Sequence, residues 1–216
     1  MKGHTFKIYC KECPSLKNFM PIRFGGMAVI MRDLLEGENI RLTAVKDHDM
    51  PIIEEWFNNV KFLRYYDMLP AIPKNLKQVV DMMKAYEDSQ VRYIFAIRTK
   101  DNDRIIGVAG FDEIIWSNRV STVFIGIGNN KFTGKGLGKE AMSLLLDYAF
   151  NELNFYRIQL NVISYNENAI KLYESLGFVK EGTFRDFIYR DGKRYDMYLY
   201  GLLKQEWGGL NDRKHI

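Results

Sequence analysis

The feature that most restricts the fold of this chain is the order in which strand-like and helical hydrophobic spacings follow one another from residue 39 onward. The segments are, in order, a strand (39–45), two helices (47–60 and 73–88), three strands (91–98, 104–114 and 119–128), a helix ending near residue 151, a strand (156–164), a helix (166–178) and two strands within 178–203. This order predicts a single α/β (α+β) domain with a mixed central sheet of about six to seven strands flanked by helices.

Local signals sharpen the boundaries of the first helix. Asp49 is a candidate N-terminal cap with Pro51 near the first turn. Ile52, Trp56 and Val60 recur every four residues, so we expect them to form its buried face.

Other signals fix the turns in the second half of the chain. Residues 99–103 form a turn signal, so the flanking strands should make a hairpin. Gly177 stands where a helix ends, and Asp191-Gly192 is a favoured hairpin turn between the last two strands. The apolar face of the helix that ends near residue 151 is expected to comprise Ala141, Leu144, Leu145, Tyr148 and Ala149.

Composition excludes several classes of function. The 216 residues are 47% hydrophobic and 27% charged, which is ordinary for a globular protein. The net charge of +4 is too small to indicate nucleic-acid binding. No apolar run approaches the length of a membrane span, and the first residues lack the apolar stretch of a secretory leader. We therefore expect a cytoplasmic protein that binds neither nucleic acid nor membrane.

The first 38 residues differ from the rest because they show no sustained period. We expect an N-terminal extension over 1–38, whose order the sequence leaves open, a domain over 39–207 and a C-terminal tail over 208–216. The extension contains Cys10 and Cys13, a C-x-x-C pair. The three histidines, His4, His48 and His215, fit no metal-ligand spacing, so we expect free thiols and no metal.

A glycine-rich segment, "FTGKGLGKEAM" from residue 132, enters the helix that ends near residue 151. Such a loop exposes backbone N–H groups at a helix N-terminus, where an anion binds well. The Walker A pattern fails because Thr133 and Glu140 occupy two of its fixed positions, and the dinucleotide pattern fails because Lys139 replaces its third glycine. The glycines alone leave a phosphate site and a flexible turn equally open.

A second motif changes this balance. Asn166 opens the helix over 166–178 and Tyr173 follows two turns later. Together with the glycine segment, "NVISYNENAIKLYESLGFVKEGTFRD" and "YRDGKRYDMYLYGLLKQEW" resemble the GNAT superfamily of N-acetyltransferases, from about Asn39 to Trp207. The resemblance is greatest to the branch of ribosomal-protein alanine and spermidine acetyltransferases. The family motif Gln/Arg-x-x-Gly-x-Gly/Ala falls on Thr133, Gly136 and Gly138, and Thr133 departs from it.

The resemblance implies that acetyl-CoA is the co-substrate and that an amine attacks its thioester directly. It implies contacts of the cofactor with Gly126, Ile127, Gly128, Thr133, Gly134, Lys135, Gly136, Leu137, Gly138, Lys139, Asn166 and Tyr173. Tyr173 matches the tyrosine that protonates the departing thiolate, and Asn166 matches an asparagine that hydrogen-bonds the cofactor. Each has a structural alternative, since Asn166 can cap a helix and Tyr173 can pack between helix and sheet.

The sequence does not assign the general base to a single residue. The strand over 119–128 has no carboxylate where many relatives have a Glu. The candidates are Asp112 and Glu113, of which Glu113 completes the predicted catalytic set, with Asp67 as a weaker third. Asp67 also belongs to the stretch 64–67, which either lines an acceptor pocket or forms a packed aromatic turn.

The expected function is transfer of an acetyl group to a primary amine, either a protein N-terminus, a polyamine or another small amine. The alternative is an acyl-CoA-binding or sensing protein with weak or no catalysis, because Thr133 and the missing strand carboxylate depart from the family pattern. Whether the chain assembles with copies of itself stays open.

Overall fold

The computed structural model describes residues 23–24, 27–28 and 33–208. The chain divides into two compact units, Met1–Asp33 and Leu34–Ile216. In the first unit, β1 (Arg23–Phe24) and β2 (Met27–Ala28) pair in antiparallel orientation. The predicted thiol pair, Cys10 and Cys13, lies outside the described residues. So do His4, His215 and residues 209–216, which make up most of the predicted tail.

The second unit contains a seven-stranded sheet and five α-helices within the described residues. The strands are β3 (Ile40–Thr43), β4 (Tyr93–Thr99), β5 (Ile105–Ile115), β6 (Val120–Ile127), β7 (Arg157–Ile163), β8 (Val179–Arg190) and β9 (Lys193–Leu203). The helices are α1 (Met50–Phe57), α2 (Val60–Tyr66), α3 (Leu76–Glu87), α4 (Leu137–Asn151) and α5 (Glu167–Ser175). The sheet order is β3-β4-β5-β6-β7-β9-β8, and β6–β7 is its parallel pair. The predicted fold class is therefore confirmed.

The two faces of the sheet carry separate hydrophobic cores. Helices α1, α2 and α3 cover one face, where Ile53, Trp56 and Val79 pack with Val108 of β5. Helix α4 covers the other face together with α5, and most of its predicted apolar side is buried there. Ala141, Leu144, Leu145 and Ala149 are at most 2% exposed, while Tyr148 is half-buried. Among the described residues, no helix combines the length and the apolar character needed to cross a membrane.

The first predicted helix is wrong in its extent and in its buried face. A short 3-10 turn precedes α1. The helix ends at Phe57, with Asn58 as its C-cap, and a separate helix, α2, begins at Val60. Of the predicted face, Trp56 is buried, but Ile52 and Val60 are 36% and 46% exposed, because the helix turns Ile53 and Phe57 inward beside Trp56. The Asp49 side chain makes no cap bond to α1; it accepts from the Lys46 amide and pairs with the buried Arg98 guanidinium.

The other turn predictions are confirmed. Strands β4 and β5 form an antiparallel hairpin, as do β8 and β9. Asp191 and Gly192 at the β8–β9 turn both have positive φ, 49° and 76°, as the hairpin turn requires. Gly177 follows α5 with a φ of +93°.

Candidate active site

The centre of the sheet opens between its two parallel strands. β6 pairs with β7 only over Val120–Thr122, opposite Arg157–Gln159. Beyond Thr122 the two strands diverge, and the remaining residues of β6 face a cleft. Gly126 and Ile127, which the resemblance implies beside the cofactor, lie in this diverging part of β6.

The glycine loop closes one end of the cleft. Gly134 and Gly136 have φ angles of +76° and +80°, a conformation that favours glycine. A Cβ at either position would meet nothing within 4 Å, so the loop surface is open to a ligand. Gly136 is also the N-cap of the 15-residue helix α4, so the partial positive charge of the helix N-terminus lies at the loop.

A cavity of about 730 Å³ follows this loop, and we call it the donor cavity. Of the predicted cofactor residues, it is lined by Gly126, Ile127, Thr133, Gly134, Gly136, Gly138, Lys139, Asn166 and Tyr173. Three predicted residues do not line it. The Lys135 ammonium lies 5.6 Å from the ring centre of Phe132. Leu137 packs against the hydrophobic core on the α4 face of the sheet. Gly128 lies against Trp56, with which a Cβ at this position would clash.

A second cavity, of about 570 Å³, adjoins the first, and we call it the acceptor cavity. Its walls come from α2, α3, the loop between them, and β6. Four side chains line both cavities and so mark their junction: Tyr65, Tyr66, Ile125 and Tyr173.

Helix α2 forms part of the wall at this junction. Tyr66 lies over β6, where a Cβ on Gly126 would come within 2.6 Å of its ring. Its ring also stacks on Phe62, with 5.1 Å between the ring centres, and burial raises the Tyr66 pKa well above its usual value. Residues 64–67 were expected either to line an acceptor pocket or to form a packed aromatic turn. Tyr66 does both, since its ring packs on Phe62 and also lines the acceptor cavity.

Asp112 is the carboxylate of β5 that reaches the acceptor cavity. It accepts a hydrogen bond from the Tyr86 hydroxyl at 3.1 Å and pairs with the Arg92 Nε at 3.1 Å. Burial raises the pKa of Asp112, against the opposing effects of the Tyr86 hydrogen bond and of Arg92. Burial together with Asp112 also raises the pKa of Tyr86. Asp67 lines the same cavity, and its Oδ1 accepts from the Leu69 amide at 3.1 Å.

Glu113 points elsewhere, because a bulge interrupts the strand pairing just after Asp112. Its backbone has a φ of +53°, its side chain is exposed, and its Oε2 accepts from the Thr122 hydroxyl at 3.2 Å. It lines neither cavity. A bulge of this kind leaves no trace in the alternation of the sequence, so the two adjacent carboxylates could not be told apart there.

Tyr173 lies on α5 at the junction and is 7% exposed. Burial raises its pKa to about 12, so the hydroxyl keeps its proton at neutral pH. Its ring also packs against Phe178, with 5.8 Å between ring centres, so the predicted packing role is present as well.

Asn166 lines the donor cavity, but its side chain is engaged within the fold. Its Oδ1 accepts from the Ala169 amide at 3.3 Å and caps α5, as the structural alternative expects. Its Nδ2 donates to the Tyr65 carbonyl at 3.2 Å, and the neighbouring Tyr165 hydroxyl donates to the Arg64 carbonyl. These two bonds join the end of α2 to the start of α5.

Sequence reasoning missed Tyr86 and Arg92, which orient Asp112, and it missed helix α2 as an element. The signal for α2 was present: Asn59 caps it by accepting from the Phe62 amide, and Phe62, Leu63 and Tyr66 have helical spacing. No local signal marks Tyr86 or Arg92. Within the described part of the chain, no group of three or more His, Cys, Asp or Glu side chains has an arrangement that could hold a metal ion.

Comparison with known proteins agrees with this arrangement. Residues 39–179 match the acetyltransferase (GNAT) domain family. An uncharacterized N-acetyltransferase p20 of Bacillus licheniformis is 31% identical over 180 residues, which cover 82% of this chain and 99% of that protein. The ribosomal protein uS5-alanine N-acetyltransferase of Escherichia coli (strain K12) is 25% identical over 190 residues, 85% of this chain and 97% of the relative. The crystal structure of spermidine N-acetyltransferase from Vibrio cholerae in complex with CoA and spermine superposes with a TM-score of 0.72, at 24% identity, over 78% of this chain and 97% of that one. The chain therefore belongs to the GNAT family of acetyltransferases and is an acetyl-CoA-dependent acyltransferase.

Proposed function

We propose that this protein transfers the acetyl group of acetyl-CoA to a primary amine by direct attack of the amine on the thioester. The observation that carries the proposal is the meeting of two cavities at Tyr173, one behind the glycine loop and one beside Asp112. A direct transfer needs the thioester and the amine to be held together at one point in the orientation for attack.

The donor cavity offers groups that suit the donor. Backbone N–H groups over residues 134–138 and the N-terminus of α4 favour the pyrophosphate, and Lys139 adds a positive charge at the same wall. The diverging part of β6, at Gly126 and Ile127, leaves backbone groups next to the cleft for an amide-bearing chain. When bound, acetyl-CoA supplies the activated acyl group.

We assign the base to Asp112 in preference to Glu113. An alkylammonium has a pKa of about 10.4, so it must lose a proton before it can attack. Asp112 is in the acceptor cavity and its raised pKa makes it a better proton acceptor, whereas Glu113 is outside both cavities. Tyr86 and Arg92 hold the carboxylate in place. The proton passes from the ammonium to Asp112, directly or through one water.

The leaving sulfur needs a proton when the C–S bond breaks. Tyr173 is at the junction and keeps its hydroxyl proton at neutral pH, so it suits the role of proton donor to the thiolate. Asn166 contributes by fixing the start of α5 and therefore the position of Tyr173. In the balanced reaction the ammonium gains the acetyl group and loses two protons; the sulfur gains one proton, and the other leaves to solvent through Asp112.

The comparisons give no support to a catalytically inactive acyl-CoA sensor. The names of the relatives suggest two acceptors for a first assay, a protein N-terminal alanine and spermidine. We expect the reaction in the cytoplasm. The test is to incubate the purified protein with acetyl-CoA and an amine, and to measure both free thiol and acetylated amine. Equal amounts of the two products are expected. Thiol release without acetylated amine, across peptides, polyamines and simple alkylamines, would contradict the proposal.

A further inference from the structure

We propose that the acceptor is a primary amine with a single positive charge and an apolar body, and not a polyamine. The inference rests on the proposed function, since it names the substrate class of the same site. It follows from the apolar and the charged side chains that line the acceptor cavity.

The apolar side of the cavity extends to the surface. Met68, Leu69 and Ile72, on the loop between α2 and α3, line the cavity and are 43%, 61% and 64% exposed. Met82 and Met83 of α3 continue the same wall inward. A cluster of exposed apolar side chains beside a cavity typically marks a binding site, and methionine adapts to ligands of different shape.

The charged side chains of the cavity are balanced. Asp67 and Asp112 line it, and so do Lys74 and Arg92. Asp112 already pairs with Arg92 at 3.1 Å. The four charges sum to zero at neutral pH, so the cavity wall offers no excess of carboxylates to a polycation.

The cost of burying charge decides between the two kinds of acceptor. Each ammonium that leaves water without a carboxylate or another acceptor loses much of its hydration free energy. The first ammonium meets Asp112, to which it gives its proton. A second ammonium, several methylenes away, would face the apolar Met68, Ile72 and Met82 and the positive Lys74. The remaining carboxylate, Asp67, already accepts from the Leu69 amide at 3.1 Å. An alkyl or aryl group at the same position would instead be stabilised by leaving water.

The first experiment compares hexylamine with 1,6-diaminohexane, which share a six-carbon chain and differ by one terminal ammonium group. We expect kcat/KM for hexylamine to be at least tenfold higher. From butylamine to hexylamine, kcat/KM should rise about fourfold for each added methylene. A short peptide with an apolar N-terminal residue offers the same chemistry, and comparing it with hexylamine distinguishes a protein acceptor from a small-molecule one.

The second experiment adds a carboxylate to the apolar wall. Ile72→Glu should shift the ratio of the two kcat/KM values toward the diamine by about fivefold or more, because it gives the second ammonium a partner and removes apolar surface. Val80→Glu is the matched control. Val80 is 40% exposed on α3 but lines neither cavity, so this variant should keep the parental ratio.

The outcomes are distinct. A parental enzyme that prefers the diamine or spermidine to hexylamine would overturn the inference and leave the proposed acetyl transfer intact. The absence of acetylated product with every amine would contradict the proposed function itself, and the inference with it. A ratio that moves equally in Ile72→Glu and Val80→Glu would show that the added charge acts through the overall field of the protein and not in the cavity.

Discussion

Arg64 of α2 pairs with Asp191 at the turn of the β8–β9 hairpin, its Nη1 lying 3.1 Å from the Asp191 Oδ1. The adjacent Arg190 donates through its Nη2 to the carbonyls of Met68 and Leu69, at 3.2 and 2.8 Å. The hairpin turn thus holds the end of α2 and the start of the loop that walls the acceptor cavity. The contact of Arg190 with the loop is to backbone carbonyls, so it does not depend on which side chains the loop carries.

Replacing Arg190 should therefore affect the acceptor and spare the donor. In Arg190→Gln both bonds to the loop carbonyls are lost, and we expect the KM for the amine to rise about fivefold while the KM for acetyl-CoA stays the same. A total loss of about 1 kcal/mol, the lower end of the range for two hydrogen bonds, corresponds to this factor. Arg194→Gln is the control, because Arg194 donates to the Asp186 carbonyl in the same hairpin at 3.0 Å. Parallel changes in both KM values would rule out a selective effect on the acceptor wall.

The sequence predicted those parts of the fold that depend on local spacing. The order of strands and helices, the Asp191-Gly192 turn and the face of α4 follow from periods of two and 3.6 residues and from turn chemistry. Helix α2 escaped although Asn59 offers a cap, because its seven residues hold a single short helical repeat and follow α1 directly after the break at Asn58. On α1 the sequence placed Ile52 beside the buried Trp56, where the structure has the equally apolar Ile53.

The glycine loop gives a test of the donor cavity. Gly136→Val should weaken acetyl-CoA binding at least tenfold, because a branched side chain would stand where the backbone N–H groups are open to the ligand. It should also destabilise the fold by about 1–2 kcal/mol, since valine disfavours positive φ. Calorimetry measures the affinity and thermal melting the stability.

Gly192→Val separates these two effects. Gly192 has a φ of +76°, and a Cβ there would also meet nothing within 4 Å, but it lies at the β8–β9 turn and not in the donor cavity. We expect a similar loss of stability and an unchanged affinity for acetyl-CoA. Parental affinity in Gly136→Val would mean that the loop is a turn without a role in binding.

The pH profile distinguishes the two adjacent carboxylates. Asp112 must be ionised to accept a proton, and burial raises its pKa. Activity should therefore fall as the pH drops through this raised value, above the range of an ordinary aspartate. Asp112→Asn should lower kcat/KM by roughly 10²–10⁴-fold and remove this acid limb. In Glu113→Gln, the profile and the rate should be parental, because Glu113 is exposed and bonded to Thr122. An acid limb that is lost in Glu113→Gln and kept in Asp112→Asn would reverse the assignment.

The site itself was predictable only where it follows a motif. The loop glycines and Tyr173, which the motifs single out, line the donor cavity, and a fixed spacing within one turn or one helix carries them. The acceptor side draws on α2, α3, β5 and the β8–β9 hairpin, which are distant in sequence. Contacts such as Tyr86–Asp112 and Arg190–Leu69 depend on tertiary packing, for which a single sequence holds no periodic signal.

Tyr173 allows the sharpest test of the chemistry. Removing only the hydroxyl, in Tyr173→Phe, keeps the packing against Phe178 and removes the proton donor. We expect kcat to fall by roughly 10²–10⁴-fold, with the affinity for acetyl-CoA unchanged. The loss should be smaller with an acyl donor whose thiol is more acidic, because a better leaving group needs less protonation. Tyr148→Phe is the control: Tyr148 is a half-buried tyrosine of α4 that lines neither cavity, and its variant should keep parental kcat. If Tyr173→Phe keeps kcat within about threefold of the parent, well short of the range for general acid catalysis, water or another group protonates the thiolate and Tyr173 only packs α5 against the sheet.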